Sequence, residues 1–359
     1  MVRIKDIAKE ANVSEGTVDR VLHNRGGVSK KTEAKVKKIL ESTNFSINPI
    51  ASALAMKNKH HIAVLMPEYA DADAFWKAPH LGVLKASEEL KNFGINIVNF
   101  KFDQYNKQSY IESFQRSLKS KPSAVIFVPM FIEETKQMVQ QMENETIDYL
   151  FLNVDVDGFR NKAFVGQNSY TAGYIAGKLM YLCAPKSLAF LTIQSRDSVR
   201  GNNAISNRIT GFCNYFNSNN IKVELLNLKI EDLVATTKMQ QTIQSFLTKH
   251  ASVGGVFVPS SRISTIVNSL NEQVVSSLQW VGFDNTPQNM ECLKNGSVSF
   301  LISQKPFDQG YESVRIMVDF LLKNKMPESK IYLPIDILTK ENVMYNDINQ
   351  RLFEKEFEK

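Results

Sequence analysis

Eight short apolar runs constrain this chain more than any other feature. HIAVLM, INIVNF, SAVIFVP and IDYLFLN fall between residues 61 and 153, and SLAFLTI, IKVELLNL, VGGVFVP and LQWVGF between residues 187 and 283. Between them lie segments whose apolar residues recur at helical period. Strands this continuously apolar have no solvent face, so they predict parallel sheets covered by helices on both sides. Two groups of about four strands predict two similar α/β lobes. Ligands of such sheets bind beyond the carboxyl ends of the strands, which makes the residues just after each run the place to look for a site.

The first 61 residues follow a different plan. Ile4, Ile7, Ala8 and Ala11 keep helical spacing, Asn12-Val13 interrupts them, and Ser14 offers an N-cap oxygen for a second helix that buries Val18, Val21 and Leu22. A third helix is predicted from the cap Ser29 through Val36, Ile39 and Leu40. Two short helices joined by a tight turn and backed by a third make a helix-turn-helix. The charge agrees: residues 1–61 carry 12 Lys and Arg against 6 Asp and Glu, while the remainder carries 31 of each. A surplus of +6 confined to one module is the footprint of a polyanion binder. Next, NPIASALAM at 48–56 reads as a short helix, too small to be stable without a partner helix or DNA.

Other classes are disfavoured. Cys183, Cys213 and Cys292 have no CxxC or histidine partner at ligand spacing, so neither a metal site nor a disulfide framework is expected, and all three read as buried thiols. No segment has the apolar length of a bilayer span and no secretory leader is evident, so a soluble cytoplasmic protein without membrane contact is expected. GxSxG, Walker A, HExxH and GxGxxG motifs are missing, so no enzyme and no cofactor are expected. DINQRLFEKEFEK, at the end, reads as a charged tail too short for a sustained coiled coil.

The stretch IKDIAKEANVSEGTVDRVLHNRGGVSKKTEAKVKKILESTNFSINPIASALA resembles the headpiece and hinge helix of the LacI/GalR transcription regulators, and the rest of the chain resembles that family's effector domain, a relative of periplasmic sugar-binding proteins. The resemblance implies a headpiece at 1–47, a hinge helix and linker at 48–60, a two-lobed effector-binding and dimerisation domain at 61–345, and a tail at 346–359. Lobe one would take about 61–160 and 300–325, and lobe two about 161–299 and 326–345. Contacts to double-stranded DNA fall on Arg3, Ser14, Glu15, Gly16, Thr17, Asp19, Arg20, His23, Ser29, Asn48, Ala51 and Leu54. Leu54 occupies the position of the family's minor-groove wedge, with small neighbours that let two hinge helices approach. Glu15 and Asp19 are acids on a DNA-reading helix: each lowers non-specific affinity while penalising wrong bases, Glu15 by accepting from a cytosine amino group.

In the effector domain, Asp73, Phe75 and Trp76 in DAFW resemble the segment that supplies stacking aromatics in the sugar binders. Arg208 in RITGF matches the family's effector-binding arginine, and Asp284 in WVGFDNTP its aspartate. A guanidinium fork beside a carboxylate suits a vicinal diol. Asn153, Asn168 and Ser260 sit at polar positions after strands, and Gln304 where the sugar binders keep a glutamine near the third inter-lobe crossing. The family often has Asp where this chain has Asn153, and Asn-Asp where it has Ser260-Ser261. The function implied is a dimeric regulator, repressor-like, on a pseudo-palindromic operator and controlled by a small polyhydroxylated effector such as a monosaccharide. The alternative is a solute-binding protein without a DNA role.

Overall fold

A computed structural model describes residues 4–22, 26–43, 60–69, 75–195, 203–230 and 237–357. The headpiece and the α/β region form separate compact units.

The headpiece holds α1 (Ile4–Ala11), α2 (Glu15–Leu22) and α3 (Lys30–Ser42). Asn12, at φ 55°, ends α1 in the left-handed region, where an asparagine is tolerated. Ser14 then accepts the Thr17 N–H at 3.1 Å and Ser29 the Thr32 N–H at 3.2 Å, capping α2 and α3 as the sequence suggests. Ile7, Ala8, Ala11, Val18, Val21, Val36 and Ile39 close the small core. The segment expected as a hinge helix, with Asn48, Ala51 and Leu54, lies outside the described residues, as do Arg3, His23 and Asp73.

The second unit contains two six-stranded sheets of one plan. Lobe one orders its strands β2 (Ile95–Phe102), β1 (His60–Pro67), β3 (Ala124–Phe127), β4 (Asp148–Leu152), β5 (Phe164–Gly166) and β11 (Lys330–Tyr332). Lobe two orders them β7 (Glu224–Ile230), β6 (Ala189–Ser195), β8 (Val253–Val258), β9 (Gln279–Phe283), β10 (Phe300–Ser303) and β12 (Asp336–Leu338). All pairings are parallel except β10 with β12. The central strands are sealed: Ile62, Val64, Val125, Leu150, Leu191, Val256 and Val281 have no exposed surface.

Each lobe has a helix pair brought into backbone contact by glycine. In lobe one α4 (Lys77–Leu90) crosses α13 (Pro306–Lys323), where a Cβ on Gly82 would lie 2.0 Å from the Phe307 carbonyl. In lobe two α7 (Ser169–Cys183) crosses α8 (Asn203–Ser218), and a Cβ on Gly173 would lie 1.9 Å from the Arg208 carbonyl. Neither position tolerates a side chain without moving a helix.

The sheets correct the expected lobe boundaries. β5 hydrogen-bonds to β4 and so belongs to lobe one, β10 pairs with β9 in lobe two, and β11 returns to lobe one beside β5. The crossings therefore fall at Gln167-Asn168, Gln304-Lys305 and 333–335, rather than near 160, 299 and 325. Gln304 lies in the second crossing, not near the third. The expected charged tail is a helix, α14 (Ile348–Phe357), docked by Phe353 against Ala78 and Phe307 of lobe one, with Lys77 3.3 Å from Glu354. Val343 just before it belongs to the lobe-two core. Of the three thiols only Cys292 is buried, and Cys183 and Cys213 are half-buried.

Candidate functional site

On the headpiece, capping and burial leave a specific face of α2 to solvent. Val18 and Val21 point into the core, whereas Glu15, Gly16 and Arg20 are exposed and Thr17 and Asp19 half-buried. The Ser14 hydroxyl also contacts Thr17 Oγ1 at 2.9 Å, and Ser29 contacts Thr32 Oγ1 at 2.9 Å. Ser14 and Ser29 thus stabilise helix ends, whatever else they touch. Glu15 in the first turn favours the helix dipole, and its side chain is exposed.

Between the lobes the chain assembles a buried polar group at the carboxyl ends of the strands, as the topology requires. Asp284 directly follows β9 at φ 69° and is 3 % exposed, its N–H held by the Ile302 carbonyl at 2.9 Å. A non-glycine residue held at positive φ is a costly conformation that recurs where a side chain must be aimed. Asn153 after β4, at φ 67°, and Lys305 in the second crossing, at φ 56°, share it.

Arg208, 4 % exposed on α8, donates from Nη1 to the Pro259 carbonyl at 2.8 Å and lays its guanidinium over Phe283, 4.0 Å from the ring centre. Burial pushes its pKa down to about 10, and the nearby Asp284 carboxylate opposes that shift. Gln304 is 4 % exposed and donates from Nε2 to Asp284 Oδ1 at 2.6 Å. Arg208, Asp284 and Gln304, chosen from sequence, therefore meet. Asn153 joins them by donating to Gln304 Oε1 at 3.4 Å.

The other expected residues divide. Asn168 caps α7 by accepting the Thr171 N–H at 2.9 Å. The Ser260 hydroxyl is buried without a partner among the described residues. Trp76 is 5 % exposed and donates to Gln104 Oε1 at 3.2 Å, with Phe75 packed edge-on against it at 5.0 Å. Phe75 lines a cavity of about 370 Å³ with Asn285, Pro306 and Asp347, on the side where the tail crosses between lobes.

Three side chains at the site were not anticipated. Gln167, 2 % exposed in the first crossing, donates to the Ser303 carbonyl at 3.0 Å and leaves its Oε1 without a partner. Gln309, fully buried on α13, bonds to Asn153 and to the Gln304 carbonyl. Asn285 donates to Asn346 Oδ1 at 2.8 Å and to Asp347, tying the residue after Asp284 to the tail. The polar residues of QNS at 167–169 gave a local signal for Gln167; nothing local marked Gln309.

Residues 3–48 match the bacterial regulatory proteins of the lacI family, and residues 62–325 match the periplasmic binding protein domain. The chain is 25% identical to the HTH-type transcriptional regulator RegA of Clostridium saccharobutylicum over 95% of its own length and 99% of the relative's. It is 20% identical to a ribose operon repressor of Lactococcus lactis, over 96% and 98%. Among solved structures, a putative LacI transcriptional regulator from Bacteroides fragilis superimposes with a TM-score of 0.73 at 27% identity, covering 80% of this chain and 99% of that one. With its capped helix-turn-helix and its two parallel-sheet lobes, this chain belongs to the LacI family of DNA-binding transcriptional regulators, its headpiece joined to a periplasmic binding protein domain.

Proposed function

We propose that this regulator is a repressor whose DNA affinity is set by a small, neutral, polyhydroxylated molecule, a monosaccharide or polyol, held between the lobes by Arg208, Asp284 and their neighbours. The observation that carries the reading is a set of unpaired buried atoms: Arg208 Nε, Gln167 Oε1 and Ser260 Oγ have no hydrogen-bond partner among the described residues. Each such atom costs about 1–3 kcal/mol while unmade. A donor, an acceptor and a hydroxyl together suit adjacent sugar hydroxyls, each of which both donates and accepts. The Asp284 carboxylate already balances Arg208, and carboxamides complete the polar wall, which disfavours an anionic ligand.

On DNA the regulator acts as a homodimer. One three-helix headpiece buries too little surface for specific binding, and paired headpieces match a pseudo-palindromic operator. Glu15, Gly16, Thr17, Asp19 and Arg20 on the open face of α2 read the major groove.

Calorimetry with D-ribose, D-galactose, D-arabinose, myo-inositol and D-ribose 5-phosphate tests the effector reading. At least one neutral compound is expected to bind the wild type, and Asp284→Ala is expected to lose that binding by a hundredfold or more. Binding of the phosphate alone, or of none of the five, would refute the neutral-polyol reading.

A further inference from the structure

Three carboxamides connect the lobe-one side of the cleft to Asp284. Asn153 donates from Nδ2 to Gln309 Oε1 at 2.9 Å and to Gln304 Oε1 at 3.4 Å. Gln309 Nε2 donates to the backbone carbonyl of Gln304 at 2.8 Å, and Gln304 Nε2 to Asp284 Oδ1 at 2.6 Å. Gln309 is 0% exposed and Gln304 4%, so these bonds are shielded from exchange with water.

The direction of this relay is determined at both ends. A carboxamide has one donating and one accepting end, whereas a carboxylate and a backbone carbonyl only accept. Gln304 must turn its NH2 to Asp284, and Gln309 must turn its NH2 to the Gln304 carbonyl. Both glutamine oxygens therefore face Asn153, which must meet them with its own NH2. Flipping any one of the three amides sets oxygen against oxygen, which a buried network does not tolerate.

What is left of the Asn153 side chain is Oδ1. This atom makes no hydrogen bond among the described residues and is not among the buried unpaired atoms, so it remains accessible. The positive φ of Asn153 and its N–H bond to the Val165 carbonyl at 2.9 Å hold the residue that carries it.

We propose that the relay makes Asn153 a permanent hydrogen-bond acceptor for the effector, an uncharged counterpart of a carboxylate, with Gln309 as the positioning residue that holds it so. The proposal rests on the reading of the cleft as a polyol site and adds a specificity to it. A ligand must donate a hydrogen bond at this wall, so a hydroxyl is accepted there and a fully deprotonated phosphate or carboxylate oxygen is refused.

The test begins without any ligand. In protein labelled with 15N at asparagine, the Asn153 NH2 protons are expected to exchange with water at least tenfold more slowly than those of exposed asparagines, and Gln309→Leu is expected to remove that protection. Rapid exchange of the Asn153 NH2 in the wild type would overturn the relay. The second arm uses Asn153→Asp, which supplies the same acceptor but points a carboxylate at two carboxamide oxygens. It is expected to lose at least tenfold in affinity for whichever of D-ribose, D-galactose, D-arabinose and myo-inositol the wild type binds, and unchanged affinity would equally overturn the proposal. If the wild type binds none of the four, the effector reading fails on its own, and the exchange measurement still decides the relay.

Discussion

Arg262 Nη2 donates a hydrogen bond to Tyr105 Oη at 2.7 Å, joining the loop after β8 in lobe two to the loop after β2 in lobe one. Tyr105 is 69% exposed, so the bond adds little to folding, but its two ends belong to bodies whose separation changes when such a domain opens. A bond made in one lobe arrangement shifts the equilibrium toward it by the energy of that bond, about 0.5–1.5 kcal/mol. Tyr105→Phe keeps the ring and removes the oxygen. It is expected to weaken sugar binding about two- to tenfold in calorimetry with the melting temperature unchanged. Equal affinity in the two proteins would show that this contact does not bias closure.

His80 makes a pH-dependent contribution in lobe one. Its ring is 6 % exposed and its Nε2 lies 2.9 Å from the Pro67 carbonyl, an acceptor that needs an N–H. Burial lowers its pKa from 6.5 to about 4; the Pro67 hydrogen bond opposes that shift and Lys101 adds to it. Between those values the unfolded chain binds a proton that the folded chain refuses, so stability present above pH 6.5 is lost as the pH falls toward 4. The loss amounts to about 1.4 kcal/mol per pH unit at most, on the order of 3 kcal/mol in total. Urea unfolding of wild type and His80→Asn at pH 7, 5.5 and 4.5 measures the difference, and the mutant is expected to lose less. Parallel pH profiles would contradict the assignment.

The two acids on α2 give a prediction that needs no known operator. Glu15 is exposed and Asp19 half-buried on the helix whose other face holds Val18 and Val21 in the core. With α2 in the major groove as proposed, each would bring negative charge near phosphate and so lower affinity for arbitrary DNA. Glu15→Gln and Asp19→Ser are each expected to raise binding to random-sequence duplex about two- to fivefold at low salt, with the gain shrinking as salt rises. Fluorescence anisotropy at several salt concentrations checks this. No gain for either variant would leave helix stabilisation as the role of the acids.

Much of the fold was legible because long apolar runs carry their own signal. The eight runs became β1–β4 and β6–β9, and the serine caps and apolar spacing located α1–α3. The strands that were missed, β5, β10, β11 and β12, are three or four residues long, too short to display a period, and β11 finds its partner β5 more than a hundred residues back along the chain. That is why the lobe boundaries shifted. Arg208, Asp284 and Gln304 could be found because they stand inside recognisable motifs. Gln309 could not: its meaning comes from Asn153, 156 residues away, and a lone glutamine in a helix reads as surface. The tail helix was hidden for the same reason, since its buried anchor, Phe353, finds its pocket only when α4 and α13 come together.

A sugar held by the lobes is proposed to control how tightly the headpiece holds DNA. A duplex selected from a random pool by the full-length protein, then titrated in the presence and absence of the neutral sugar that binds, measures this coupling directly. The selected sequence is expected to be an inverted repeat, and saturating sugar is expected to change affinity for it by at least tenfold, a coupling of about 1.4 kcal/mol, in the wild type but not in Asp284→Ala. Identical affinity for the selected duplex with and without the bound sugar would contradict the account.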